Sequence, residues 1–205
     1  GKKHIVWNLD RQVNILSGVN GVGKSTILNK LIAPLKFPNK GEIPHGNGVK
    51  IETVPEDATH IRFDVIRSID RPLINAEIAS QLDFKVATEL DLQIYTLQRR
   101  YLDYQVNIAN RMIEALQNGN APEAQRLSAV KTKFQDMIDR LFAETGKTII
   151  RTANEIRFLQ IGEELTPYQL SSGEKQMLVI LLTVLVEDNK PYLLLMDEPE
   201  VSLHI

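Results

Sequence analysis

Nine residues near the start, Gly18-Val19-Asn20-Gly21-Val22-Gly23-Lys24-Ser25-Thr26, combine three glycines with a lysine and two hydroxyls. They fit G-x-x-x-x-G-K-[ST], the P-loop pattern. The glycines let the backbone curl so that successive N–H groups converge on phosphate oxygens. A helix beginning at the loop adds its partial positive charge and its unpaired donors. In this reading Gly18, Asn20, Gly21, Val22, Gly23, Lys24, Ser25 and Thr26 bind nucleotide. Lys24 reaches the β- and γ-phosphates, and the Ser25 hydroxyl sits on Mg²⁺. Near the other end, Asp197-Glu198-Pro199 follows an apolar run. Asp197 holds the metal's hydration shell, and Glu198 orients and deprotonates an attacking water. A small-molecule kinase needs no second carboxylate there, because its nucleophile is the substrate; the pair favours hydrolysis. Between these lies Leu170-Ser171-Ser172-Gly173-Glu174-Lys175-Gln176. Serine, glycine and a helix start make a second anion-binding surface. The same letters also suit a plain helix N-cap.

The elements around these residues are legible from periodicity. Val13-Asn14-Ile15-Leu16 reads as a strand leading into the glycine loop, and Ile5-Val6-Trp7-Asn8-Leu9 as its hairpin partner across Asp10-Arg11-Gln12. Trp7 is either a packed strand aromatic or a surface for an adenine ring. Ile27-Leu28-Asn29-Lys30-Leu31-Ile32 reads as helix. Pro34 to Gly48 holds three prolines and three glycines, so it reads as a loop. Val49 to Val54 and Thr59 to Ile66 alternate like half-buried strands and are expected to form an antiparallel wing. His45 and His60 lack metal-ligand spacing.

Residues 84–144 change character. Leu90, Ile94, Leu97, Tyr101, Tyr104, Ile108, Met112 and Ala115 recur at three- and four-residue steps. They form one face of a helix of about 30 residues, or ~45 Å. Asn118-Gly119-Asn120-Ala121-Pro122 breaks it. A second seam runs through Leu127, Val130, Phe134, Met137, Leu141 and Phe142. The pair reads as an antiparallel helical hairpin. Four basic residues face four acidic ones from Lys85 to Glu114, so no basic stripe marks this arm as a DNA clamp. Thr148 to Arg151 and Ile156 to Ile161 return to strand patterning. Met177 to Val186 is apolar on nearly every face and reads as a buried helix. Tyr192 to Met196 reads as a central parallel strand, covered on both faces, delivering Asp197 and Glu198 to the sheet's carboxyl edge.

Composition sets the bounds. The chain has 205 residues, enough for one domain with an inserted lobe. Net charge of −2 gives no general attraction for nucleic acid. The longest apolar run is shorter than a membrane span of ~18 residues, and no signal-peptide pattern opens the chain. Absence of cysteine rules out disulfides and thiol chemistry. A cytoplasmic protein is expected. The sequence opens without methionine and stops at Ile205 just after a catalytic-type motif, which reads as a piece of a longer chain.

The stretch Leu170 to Gln176 resembles the signature sequence of ABC-type ATPases, commonly L-S-G-G-Q, with Ser172 at its first glycine and Glu174 at its glutamine. All three motifs stand in the ABC order, and the resemblance spans essentially the whole chain. It implies two copies that sandwich two ATP molecules head to tail. Ser171, Ser172, Gly173 and Glu174 would serve in trans, with Lys24, Ser25, Asp197 and Glu198 in cis. About 145 residues separate Lys24 from Ser171, longer than expected for a transporter domain, and the helical hairpin accounts for the excess. The ending Asp197-Glu198-Pro199-Glu200-Val201-Ser202-Leu203-His204 resembles soluble ABC ATPases of the overcoming-lysogenization-defect type. It also resembles the Septu- and retron-associated defence ATPases, as, more weakly, do Phe63 to Asp70 and Leu102 to Gln105. Ser202 and His204 would occupy the D-loop position. Gln81 and Gln93 are the candidates for the Q-loop glutamine.

The fold expected is therefore α/β: a P-loop NTPase core over 1–83 and 145–205, with an antiparallel β wing and an inserted α-helical hairpin lobe at 84–144. The function expected is ATP hydrolysis with Mg²⁺ by an ATP-dependent dimer coupled to a nuclease or nucleic acid. The nucleotide-binding subunit of an ABC transporter is the alternative. A scaffold gated by ATP with little turnover is a third reading.

Overall fold

The computed structural model describes residues 4–36, 43, 45–46, 48–67, 72, 86–188 and 190–199. The chain divides into two compact units, Gly1–Ile61 and Arg62–Ile205.

In the first unit the main element is helix α1, Lys24–Lys36. It starts where the glycines end, and it buries Ile32 and Leu35, spaced to share one face. Pro34 lies inside its last turn, so the helix reaches further into the proline-rich stretch than expected. Strands β1, His45–Gly46, and β2, Val49–Lys50, form a short antiparallel pair.

Two expectations fail here. Residues 4–17 contain no strand, and Ile5, Val6, Val13 and Ile15 stay exposed. The turn between the two expected strands does exist. Asn14 Oδ1 accepts from the Asp10 N–H at 2.8 Å, Asn14 Nδ2 donates to the Asp10 carbonyl at 2.8 Å, and Asp10 Oδ1 accepts from the Gln12 N–H. A turn alone does not hold a two-stranded ribbon in water. Alternation marks a segment able to cover a face without supplying that face. Likewise Val49 to Val54 does not pair with Thr59 to Ile66. Val49–Lys50 pairs with β1, and the Thr59 carbonyl accepts from the Ile43 N–H.

The second unit opens with β3, Phe63–Arg67, which pairs in parallel with β7, Leu193–Asp197. Phe63, Val65 and Ile66 make it too apolar for a wing with one face in water, and parallel pairing suits such a run. Parallel neighbours need a crossover. Helices, a meander and a further helix supply it. Helix α2, Glu89–Gln117, starts on a capping box in which the Thr88 side chain and Asp91 satisfy each other's N–H groups. Helix α3, Ala121–Leu141, starts on Asn120, with Pro122 in its first turn, where a missing N–H costs nothing. Strands β4, Lys147–Ile149, β5, Phe158–Gln160, and β6, Glu163–Leu165, form an antiparallel meander. Helix α4, Ser172–Val186, follows.

One core fills this unit. Leu90, Ile94, Leu97, Tyr101, Tyr104 and Ile108 of α2 join Leu127, Phe134 and Ile138 of α3 and Leu178, Val179 and Leu182 of α4. The first seam stands as expected. The second is rotated: Ile138 is fully buried, whereas Met137 and Leu141 are 47% and 45% exposed. Phe134 to Ile138 is one i,i+4 step, and Met137 falls about 100° round the helix from Ile138. Strand β7 is only half-buried, with Leu195 inside and Met196 outside. Covering both faces, as a central strand requires, is not what the described residues show.

Candidate active site

In the first unit, residues 19–23 form a run of turns and bends leading directly into α1. Gly21 and Gly23 stand at φ +81° and +104°, a region that side chains avoid. They therefore permit the tight curl of this loop. The Val22 N–H bonds the Val19 carbonyl, and the Ile27 N–H bonds the Gly23 carbonyl. Lys24 Nζ donates to the Gly18 carbonyl at 2.7 Å and to that of Val19 at 3.3 Å. The ammonium is thus held beside the turn. Ser25 and Thr26 occupy the helix's first turn. Trp7 is half-buried in a segment without strand structure.

The carboxylates belong to the second unit. The parallel ladder runs to its last pair, Arg67 with Asp197, so Asp197 sits at the carboxyl end of β7. Glu198 follows with φ +49°, and both residues are partly exposed. Asp197 and the Ser25 hydroxyl are hard oxygen donors, the chemistry that Mg²⁺ prefers. Among the described residues no cluster of three or more His, Cys, Asp or Glu side chains could hold a metal by itself.

The serine-glycine turn starts α4. Ser171 is the N-cap, its hydroxyl accepting from the Glu174 N–H at 3.3 Å, while Glu174 Oε2 accepts from the Ser171 N–H at 2.9 Å. Ser171 and Ser172 are exposed. Glu174 is engaged within its own chain, since Oε1 accepts from Lys147 Nζ at 2.9 Å and from the Thr145 hydroxyl at 2.7 Å. Burial works against its ionisation, but the bonds from Lys147, Thr145 and the Ser171 backbone outweigh it and hold the carboxyl below its ordinary value.

Two further ties fix this helix. Lys175 Nζ lies 2.8 Å from Asp91 Oδ1, and both groups are almost wholly buried. Gln176 is fully buried, and its Nε2 donates to the Pro199 carbonyl at 2.7 Å. Sequence reasoning missed Lys175, Asp91 and Gln176. The S-x-x-E spacing of a capping box was a usable signal for Glu174; the other contacts join segments far apart in sequence and leave no local pattern. At the far end of α4, Glu187 is buried between Arg62, at 2.5 Å, and Arg100, which also holds Asp64 at 3.1 Å. Gln93 lies on α2 beside a cavity lined also by Asp64, Thr96 and Arg100. Gln81, Ser202 and His204 lie outside the described residues.

A phosphate-type loop opening a helix, and a parallel strand ending in two carboxylates, define a P-loop NTPase. A family model described as ABC transporter matches residues 10–201, and the chain belongs to that family of ABC-type ATPases. ATP binding and hydrolysis come with membership. No curated protein and no solved structure matches the chain. Among the described residues no helix is long and apolar enough to cross a membrane.

Proposed function

We propose that the chain is the motor domain of a cytoplasmic ABC-type ATPase that closes as a head-to-tail dimer around ATP and reopens on hydrolysis. The observation that supports this best is the α4 start, whose exposed Ser171 and Ser172 lead a capped helix. A chain with its own P-loop gains little from a second phosphate surface, unless that surface serves another copy. Gly18 to Thr26 hold the triphosphate, with Lys24 on its β- and γ-oxygens. Ser25 and Asp197 would hold Mg²⁺, which when bound would neutralise phosphate charge. Glu198 takes a proton from water as the water oxygen bonds the γ-phosphorus. The bond to the β-phosphate oxygen breaks, and ADP and phosphate leave. Ser171, Ser172 and Gly173 of the partner copy cap the γ-phosphate, while Glu174 braces their turn. Ser202 and His204 fit the D-loop position at the same interface. The core takes in 1–83 and 145–205, and the helical pair at 84–144 passes the motion to a nuclease or nucleic acid, a reading that the long arm and the ending's resemblance to soluble defence ATPases support.

The full chain carrying Glu198→Gln tests this. Hydrolysis should drop by ~10²–10⁴-fold, with a dimer in Mg-ATP measured by light scattering, whereas Lys24→Ala should lose nucleotide binding. Undiminished turnover in the Glu198 variant would remove that residue from its role. The family description supports a second reading, the nucleotide-binding subunit of a transporter. Co-purification with a membrane subunit rather than a nuclease would favour it.

A further inference from the structure

We infer that Gln176 is a positioning residue for Glu198, an inference that rests on Glu198 being the group that activates water. Glu198 has two reasons not to adopt its conformation. Its φ of +49° is one that residues with a side chain rarely take. It also precedes Pro199, and the residue before a proline is pushed towards extended backbone. Such a conformation persists only where its surroundings over-determine it. Here they act from both sides. Upstream, Asp197 is the last residue of the β3–β7 ladder. Downstream, the Pro199 carbonyl accepts a 2.7 Å bond from Gln176 Nε2. The Gln176 side chain comes from a position with no exposed surface, so its own freedom is small. Glu198 is therefore clamped between a strand and a buried amide, which sets where its carboxylate points. The donor stands in the first turns of α4, the helix that Ser171 caps. The turn carrying the carboxylate and the serine-glycine turn thus share one rigid support.

The test is steady-state ATP hydrolysis and ATP binding by the full chain with Gln176→Met, which keeps the volume and removes the donor. We expect kcat to fall by about tenfold or more, as a misplaced base implies, with KM and the ATP Kd unchanged. Combined with Glu198→Gln, Gln176→Met should cost nothing further, because residues acting as a unit are not additive. An unchanged kcat in a folded Gln176→Met protein would overturn the inference. So would an equal loss in the Glu198→Gln background, the mark of a merely structural role. If Gln176→Met fails to fold, Gln176→Asn, too short to reach Pro199, must show the same selective loss; failure of both to fold would assign Gln176 to stability alone and end the proposal. Full activity in Glu198→Gln by itself would instead refute the reading of Glu198.

Discussion

Glu174 shows how a motif residue can be absorbed by its own fold. A carboxylate offers about four acceptor sites, and here it takes bonds from the Ser171 N–H, the Thr145 hydroxyl and Lys147. Its folded pKa lies below the ordinary 4.5, so near that pH the unfolded chain binds more protons. The resulting stability is complete above pH 4.5 and disappears as pH falls through the folded value. Glu174→Gln should cost about 1–3 kcal/mol at neutral pH and flatten the acid limb of the stability curve. Denaturant titrations across that pH range check this; an unaltered acid limb would show that the bonds carry no linkage. The three motifs were legible at this scale because their residues are contiguous. Gln176 was not, because its partner is a backbone carbonyl 23 positions away.

The helices were the most legible elements. A seam repeated over eight turns of α2 averages out local accidents, so every position read as inward lies inside or partly inside. In α3 the apolar residues are too many for one face, and periodicity alone put Met137 rather than Ile138 on the seam. The structure chooses Ile138, which is fully buried. Ile138→Ala should therefore destabilise by about 2–5 kcal/mol, and Met137→Ala by about 0.5 kcal/mol or less, measured by urea unfolding. Comparable losses would place both residues on the core face. Strands were less legible. Alternation at Val13 to Leu16, or at Val49 to Val54, tells which residues could line a face. It leaves open which backbone, if any, supplies the hydrogen bonds, and Phe63–Arg67 found its partner 130 positions away.

For the whole molecule, the proposed dimer makes a prediction that no single-chain enzyme shares. A Lys24→Ala chain keeps its Ser171, and a Ser171→Arg chain keeps its P-loop. Each alone should be nearly inactive. Mixed, they should form head-to-tail pairs with one intact composite site, and phosphate release should reappear. A mixture no more active than its components would rule out the shared site. The family match over residues 10–201 was legible from motif order, and so was the parallel character of β7, whereas its partner was not, since pairing across a crossover leaves no mark in local sequence.

Glu174, Lys175 and Gln176 each answer a different neighbour: the β4 strand, the start of α2 and the bend after β7. Their order is consequently not interchangeable. An acid, a base and an amide shuffled among these positions would match composition and helix propensity yet place each group before the wrong counterpart. Spelling, rather than chemical character alone, is what this corner of the helix constrains.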